Sequence, residues 1–199
     1  MDTRKRAREN EIEMLRALAS VGWLTPRLAG GWVWPLSTWH SSTNNAKSVL
    51  TRLEKRGFVL RRTVDHTGAQ AWVLTRAGAD AMNDALETED VHTRWVHHGY
   101  DLSTKQVARH VALVEFLIEK RRAGFGALGR TGLRAIRPEY RNFDGAFFDS
   151  DYTVTGVLVV GTASRKYCDW LRELRRNYRV QLIGDLRVVR TIESRLGQC

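Results

Sequence analysis

The chain has 199 residues, enough for one ordinary domain or two small ones. Hydrophobic residues make up 43%, which argues against wholesale disorder, and a formal net charge of +10 favours a polyanionic partner, nucleic acid before an anionic membrane. Two cysteines, Cys168 and Cys199, without a C-x-x-C pair argue against a disulfide framework or a structural zinc site.

No apolar stretch approaches the ~20 residues of a membrane span. The charged opening "MDTRKRAREN" has no signal-peptide pattern. The expectation is a reduced, cytoplasmic, nucleoid-associated protein with no membrane partner and no cofactor.

In chain order, the first helix is expected over Arg8 to Val21, with Ile12, Leu15, Leu18 and Ala19 on one stripe and Gly22 ending it. Thr25 can cap, and Pro26 can open, a short second helix. "PLSTWHSSTNN" reads as a polar turn region. A third helix is expected from about Asn44 to Arg56, with Ser42 or Thr43 as its cap. Its buried face is Ala46, Val49, Leu50 and Leu53, and Gly57 supplies the stop. "FVLRRTV" and "AWVLT" read as two strands with hairpin-turn chemistry in "DHTG", followed by a helix capped by Thr75.

"ETEDVHTRWVHHGYD" (87–101) has little periodicity and reads as a linker; His92, His97 and His98 within it are expected to be surface histidines. A strong helix follows, carrying Val107, Val111, Val114, Leu117 and Ile118 on one side and closed by Gly124. "GFGALGRTG" is expected to be a flexible loop. "GAFFDSDYTVTGVLVVG" reads as a hairpin, "SRKYCDWLRELRRN" as a helix capped by Ser164, and "YRVQLIGD" and "LRVVRTI" as one or two last strands.

Helix, helix, helix, hairpin, helix is the winged helix-turn-helix order. The run Leu50, Leu53, Gly57, Phe58, Val59 and the later Leu74, Thr75, Gly78 resemble that family over about residues 9–86. Most of the chain resembles the replication-relaxation family of plasmid and phage proteins, in which a winged helix precedes a restriction-endonuclease-like domain. His110, Arg137, Pro138, Glu139, Asp144, Gly161 and Thr162 carry that likeness in the second half. The resemblance implies an α+β protein: a winged helix-turn-helix DNA-binding domain (1–86), a linker (87–101) and a basic α/β domain (102–199) that adds DNA contacts or oligomerises. The second domain would be a degenerate nuclease-like fold.

Double-stranded DNA is the expected partner, bound by a homodimer or by a monomer with two DNA-contacting domains. Amides pair with adenine and cations with guanine in the major groove. The candidate readers on the third helix are therefore Thr43, Asn44, Asn45, Lys47, Ser48 and Arg52. Arg61, Arg62, His66 and Gln70 on the hairpin are candidates for flanking phosphates or the minor groove. Adjacent strand residues face opposite ways, so one of the two arginines is expected to face DNA.

Residues 1–100 hold 14 Lys and Arg against 11 Asp and Glu, a net of +3, whereas residues 101–199 hold 18 against 11, a net of +7. Arg172, Arg175 and Arg176 are accordingly candidate contacts from the second domain.

The functional expectation is a sequence-specific DNA-binding regulator, a transcriptional repressor or a replication or immunity control protein of a phage or plasmid. The alternative is a nicking or relaxase-type enzyme with a metal site near Asp144. A nuclease metal site needs two or three converging acids and usually a lysine. Val159, Val160 and Gly161 stand where the second acid and the lysine belong, Lys166 is displaced, and Asp149 and Asp151 sit in the turn. No catalytic or metal-binding residue is therefore assigned.

Overall fold

The computed structural model describes residues 3–64, 68–87 and 104–197, so nearly all of the expected linker and His66 lie outside the described residues. The first half runs α1 (Thr3–Val21), β1 (Trp23–Leu24), α2 (Pro26–Val33), α3 (Trp39–Lys55), β2 (Val59–Thr63), β3 (Gln70–Leu74) and α4 (Arg76–Glu87). The second runs α5 (Thr104–Arg122), β4 (Gly126–Gly129), α6 (Arg130–Ile136), a 3-10 turn (Pro138–Tyr140), β5 (Gly145–Phe148), β6 (Val154–Val160), α7 (Arg165–Asn177), β7 (Arg179–Gly184) and α8 (Leu186–Leu196). The fold is mixed α+β, with an antiparallel sheet ordered β1-β3-β2 and a second sheet ordered β4-β5-β6-β7. Among the described residues only β6 and β7 pair in parallel, joined by α7. No helix among the described residues is long and apolar enough to cross a membrane.

Several expected elements differ. α3 begins a turn and a half earlier than expected, at Trp39, because Thr38 adopts the extended cap conformation and its side chain accepts from Ser41 N. Ser42 is not a cap but a fully buried helical residue whose hydroxyl donates to Trp39 O. Gly30 explains the burial: a Cβ there would stand 2.5 Å from the backbone carbonyl of Ser42. The α2 and α3 backbones touch, and only hydrogen at position 30 permits it. "GFGALGRTG" is not a loop but supplies β4 and the start of α6, and "LRVVRTI" is helix α8, with Asp185 accepting from Arg187 N and Val188 N at its start.

The buried residues do not separate at the expected linker. Met14, Leu15 and Leu18 of α1 and Val49, Leu50 and Leu53 of α3 share one cluster with Leu113, Val114, Leu117 and Ile118 of α5 and with Val157 and Val159 of β6. Alternation along β6 sends Leu158 and Val160 to the opposite face, where Leu133, Cys168, Leu171, Leu174 and Ile192 cover them. Polar contacts join the halves as well. Gly129 N donates to the buried Ser20 hydroxyl at 2.9 Å, and Arg121 Nε and Arg122 Nε donate to Trp32 O and Pro35 O, each at 3.0 Å.

His110 of α5 lies against β1, its ring 4.1 Å from that of Trp23 and nearly parallel to it. Its Nε2 is 2.9 Å from Trp23 O. A carbonyl can only accept, so Nε2 carries the proton in this contact. Burial lowers the imidazole pKa to about 4, with the Trp23 hydrogen bond opposing. The neutral ring is thus the folded form.

Two outcomes are expected. Between pH 6.5 and about 4 the unfolded chain takes up a proton that folded His110 refuses, so stability is full above that window and falls on acidification, by on the order of 2–3 kcal/mol. Urea midpoints at pH 7 and pH 5 should therefore drop further for the wild type than for His110→Phe. Gly30→Ala should lower the thermal midpoint, at a cost of about 1–3 kcal/mol from overpacking against the α3 backbone.

Candidate nucleic-acid interface

α3 sets its polar residues by helical period. Ser42, Ala46, Val49, Leu50 and Leu53 are buried, whereas Asn44, Asn45, Lys47, Ser48, Thr51 and Arg52 are exposed. Among the described residues the centre of this face is open to solvent, with Arg52 at its edge paired to Glu11. At 3.6 residues per turn, Asn44, Lys47, Ser48 and Thr51 fall on its centre and on the flank toward the β2–β3 hairpin, while Asn45 and Arg52 fall on the opposite flank.

On the hairpin side lies a concavity of about 500 Å³. Thr43, Lys47 and Thr51 of α3, Arg61 of β2, Gln70 and Trp72 of β3, and the α2 start at Thr25–Arg27 contribute to its wall. Four of the expected site residues therefore converge: Thr43, Lys47, Arg61 and Gln70. Arg61 is paired across the strands with Trp72, and Arg62 with Ala71. Only Arg61 of the two lines the concavity, as strand alternation requires.

The side chains differ in how committed they already are. Lys47 and Arg62 are exposed and form no ion pair or hydrogen bond among the described residues. Thr43 donates its hydroxyl to Trp39 O at 2.5 Å, which leaves it an acceptor only. Ser48 accepts from Arg52 at 3.2 Å and keeps its own proton free to donate. Asn44 Nδ2 stands 3.1 Å from His40 Nε2. Arg52 Nε is drawn 3.2 Å from Glu11 of α1, which also holds Arg56 at 2.6 Å. Arg61 is 3.3 Å from Glu54. These pairs are substantially exposed, so each holds its arginine by no more than about 1 kcal/mol.

The Thr25–Arg27 wall and Thr51 were absent from the expected site. In the sequence Thr25 and Pro26 signal only a helix start, and Thr51 carries no signal beyond its place on the polar side of α3. His40 and Ser41 occupy the first exposed turn of α3 and escaped notice because the helix was expected to begin at Asn44.

The three arginines assigned to the second half have partners. Arg172 lies 2.8 Å from Asp169, Arg176 lies 2.6 Å from Glu173, and Arg175 meets Glu193 through both terminal nitrogens at 2.8 and 2.6 Å. The last pair raises the Arg175 pKa and lowers that of Glu193, each through the shared hydrogen bonds first. It ties α7 to α8.

Asp144 is buried just ahead of β5. Its Oδ2 accepts from Arg109 Nη2 at 2.7 Å and from Val159 N at 2.8 Å. Among the described residues no three His, Cys, Asp or Glu side chains are grouped so as to hold a metal ion. The position facing this carboxylate is filled by a guanidinium. His110, the histidine of the same resemblance, is spent on Trp23.

No family model, curated protein or solved structure matches the chain.

Asp144→Ala should strand the buried Val159 N–H and lower stability by about 1–3 kcal/mol, read as a shift in the denaturant midpoint. Asp144→Asn keeps an acceptor oxygen and should lose less.

Proposed function

We propose that the chain is a sequence-specific double-stranded-DNA-binding regulator built on a winged helix-turn-helix. α2 and α3 form the helix-turn-helix, β2–β3 the wing, and α3 enters a major groove. The observation that carries this reading is the outward face of α3: Asn44, Lys47, Ser48 and Thr51 stand exposed on a helix whose opposite face is wholly buried. Amide, ammonium and hydroxyl groups at that spacing match base-edge donors and acceptors. The wing and the α2 start then flank the groove, where Arg61, Gln70 and Thr25 meet phosphates.

A bound regulator of this kind represses by occlusion, which needs no catalysis. The residues that resemble the replication-relaxation family support reading that role as transcription, immunity or replication control in a phage or plasmid. The nicking-enzyme reading has less support, because Asp144 is engaged by Arg109 and no three His, Cys, Asp or Glu side chains are grouped to hold a metal ion among the described residues.

Selection of bound fragments from random DNA should return a defined motif. Against that motif, Asn44→Ala or Lys47→Ala should cost roughly 1–3 kcal/mol in affinity, with little change on unrelated sequence. Equal losses on all sequences would make these residues phosphate contacts, and an unenriched pool would sink the sequence-specific reading. Arg52→Ala should cost less than either, because Glu11 already competes for its guanidinium.

A further inference from the structure

A second concavity, of about 710 Å³, lies between α1 and α4. Helical period creates it. Ala7, Arg8, Glu11, Ile12 and Leu15 recur along one side of α1 and line it. Ala81 and Ala85 face them from α4, and Leu53 and Phe58 contribute from the place where α3 gives way to β2. The alanines at 7, 81 and 85 put nothing beyond Cβ into the gap, which leaves a trough between the two helices.

The wall of this trough is apolar. Leu15 and Leu53 are buried, whereas Ile12 and Phe58 are only half-buried and keep hydrocarbon surface turned to the cavity. Covering that surface with an apolar body is favourable in proportion to its area.

The rim is charged. Arg4, Arg8 and Arg56 stand there against Glu11 and Asp84. Glu11 is already spent. Its Oε2 accepts from Arg56 Nη1 at 2.6 Å, and its Oε1 accepts from Arg52 Nε at 3.2 Å, an arginine outside the cavity wall. Arg8 lies one turn from Glu11 on the same side of α1. It is exposed and forms no ion pair or hydrogen bond among the described residues. The Arg56 guanidinium rests 4.5 Å over the Phe58 ring, so its charge sits where the apolar wall meets the rim.

A concave apolar wall with a few polar groups at one edge is the usual form of a small-molecule site, and the volume falls in the usual range. Cations at that edge select an anion, and a guanidinium matches a carboxylate in shape as well as charge. From Arg8 to Leu15, α1 rises about 10 Å, the reach of a medium-length acyl chain.

We propose that this cavity binds a small amphipathic carboxylate. Its head group lies between Arg8 and Arg56, where it competes with Glu11, and its hydrocarbon body lies on Ile12, Leu15, Leu53 and Phe58. The site is separate from the concavity beside the hairpin and does not rest on the DNA-binding reading.

The test is isothermal titration of the full chain with octanoate, 1-octanol and octylammonium below their aggregation limits. The variants are Arg8→Glu, Glu11→Gln and Ala85→Phe, each checked by thermal melting. Octanoate should bind wild type saturably, one per chain, with 1-octanol at least tenfold weaker and octylammonium weaker still. Arg8→Glu should weaken octanoate roughly tenfold or more and leave 1-octanol as in wild type. Glu11→Gln removes the competing carboxylate and should bind octanoate more tightly. Ala85→Phe fills the trough and should abolish both.

A wild type that takes up no octanoate overturns the site, as does octanoate binding that Arg8→Glu and Ala85→Phe leave unchanged. Equal affinity for octanoate and 1-octanol overturns the head-group assignment and with it the proposal. A wild type that sediments as a dimer and becomes monomeric in Ala85→Phe makes the trough an interface between copies and overturns the ligand site. Should Ala85→Phe fail to fold, Arg8→Glu, at an exposed position of α1, decides the matter on its own.

Discussion

The burial of α5 against both halves is the constraint on which the remaining architecture depends. Leu113, Val114, Leu117 and Ile118 belong to the cluster that also holds the inner faces of α1 and α3. Each such side chain contributes about 1.5–3 kcal/mol by leaving water. The half-exposed Arg27–Glu115 pair at 2.7 Å contributes at most about 1 kcal/mol. Apolar docking therefore supplies the adhesion. The polar contacts choose the orientation. Arg122 stacks 4.3 Å from the Trp39 ring while its Nε donates to Pro35 O, and Arg27 stacks on the same ring at 4.6 Å. These contacts grip the α2–α3 connection at the very place where α3 begins.

A consequence is that the outward face of α3 is positioned from beneath by residues distant in sequence. Gly31 makes room for Trp39, whose ring would otherwise meet a Cβ at 2.6 Å. Trp39 in turn sits between α2 and the arginines of α5. The helix that carries Asn44 and Lys47 is thereby fixed at its first turn by the half-buried Trp39 and along its length by Val49, Leu50 and Leu53. A rigid mount of this kind limits the entropy lost on docking to a groove. The hairpin, the other wall of the concavity, touches α3 through the Arg61–Glu54 pair and through Trp72 Nε1 donating to Glu54 at 3.4 Å.

Much of the first half was legible because its signals are local. Thr25–Pro26, the Ala46–Leu53 stripe, Gly57 and the cap at Thr75 each act within one or two turns, and each is found where expected: Gly57 takes φ +73° and Thr75 accepts from Gly78 N. The start of α3 was illegible for the opposite reason. A run of Ser, Thr and Asn favours turns intrinsically, and only the approach of the α2 backbone at Gly30 makes a helix there the better solution. The second half failed in the same way twice. Gly126 and Gly129 suggested a flexible loop, but they are small because the Phe148 ring and the Ser20–Val21 backbone press against them. The β-branched run in α8 suggested a strand; the overriding signal was Asp185, followed by Val188, Val189, Ile192 and Leu196 along one side. The candidate site was legible to the same degree: its helical residues came from a local period, whereas the α2 wall and the pairing of Arg52 with Glu11 depend on contacts between residues far apart in the sequence.

Charge counting located the more basic half correctly but could not say which cations are available. A sequence shows Arg172, Arg175 and Arg176 as a dense cluster; the structure shows each of them beside a carboxylate of α7 or α8. What matters for a polyanion is the remainder after internal pairing. Among the described residues that remainder includes Lys47, Lys55, Arg62 and Arg76 in one half and Arg130, Arg141, Arg165, Lys166 and Arg179 in the other. α5 joins the two halves, running from Arg109 beside Asp144 to Arg122 beside Pro35. Thirteen residues of helix span about 20 Å, roughly six base pairs of duplex. Because α5 is buried against both sheets' supporting helices, that separation is fixed by packing.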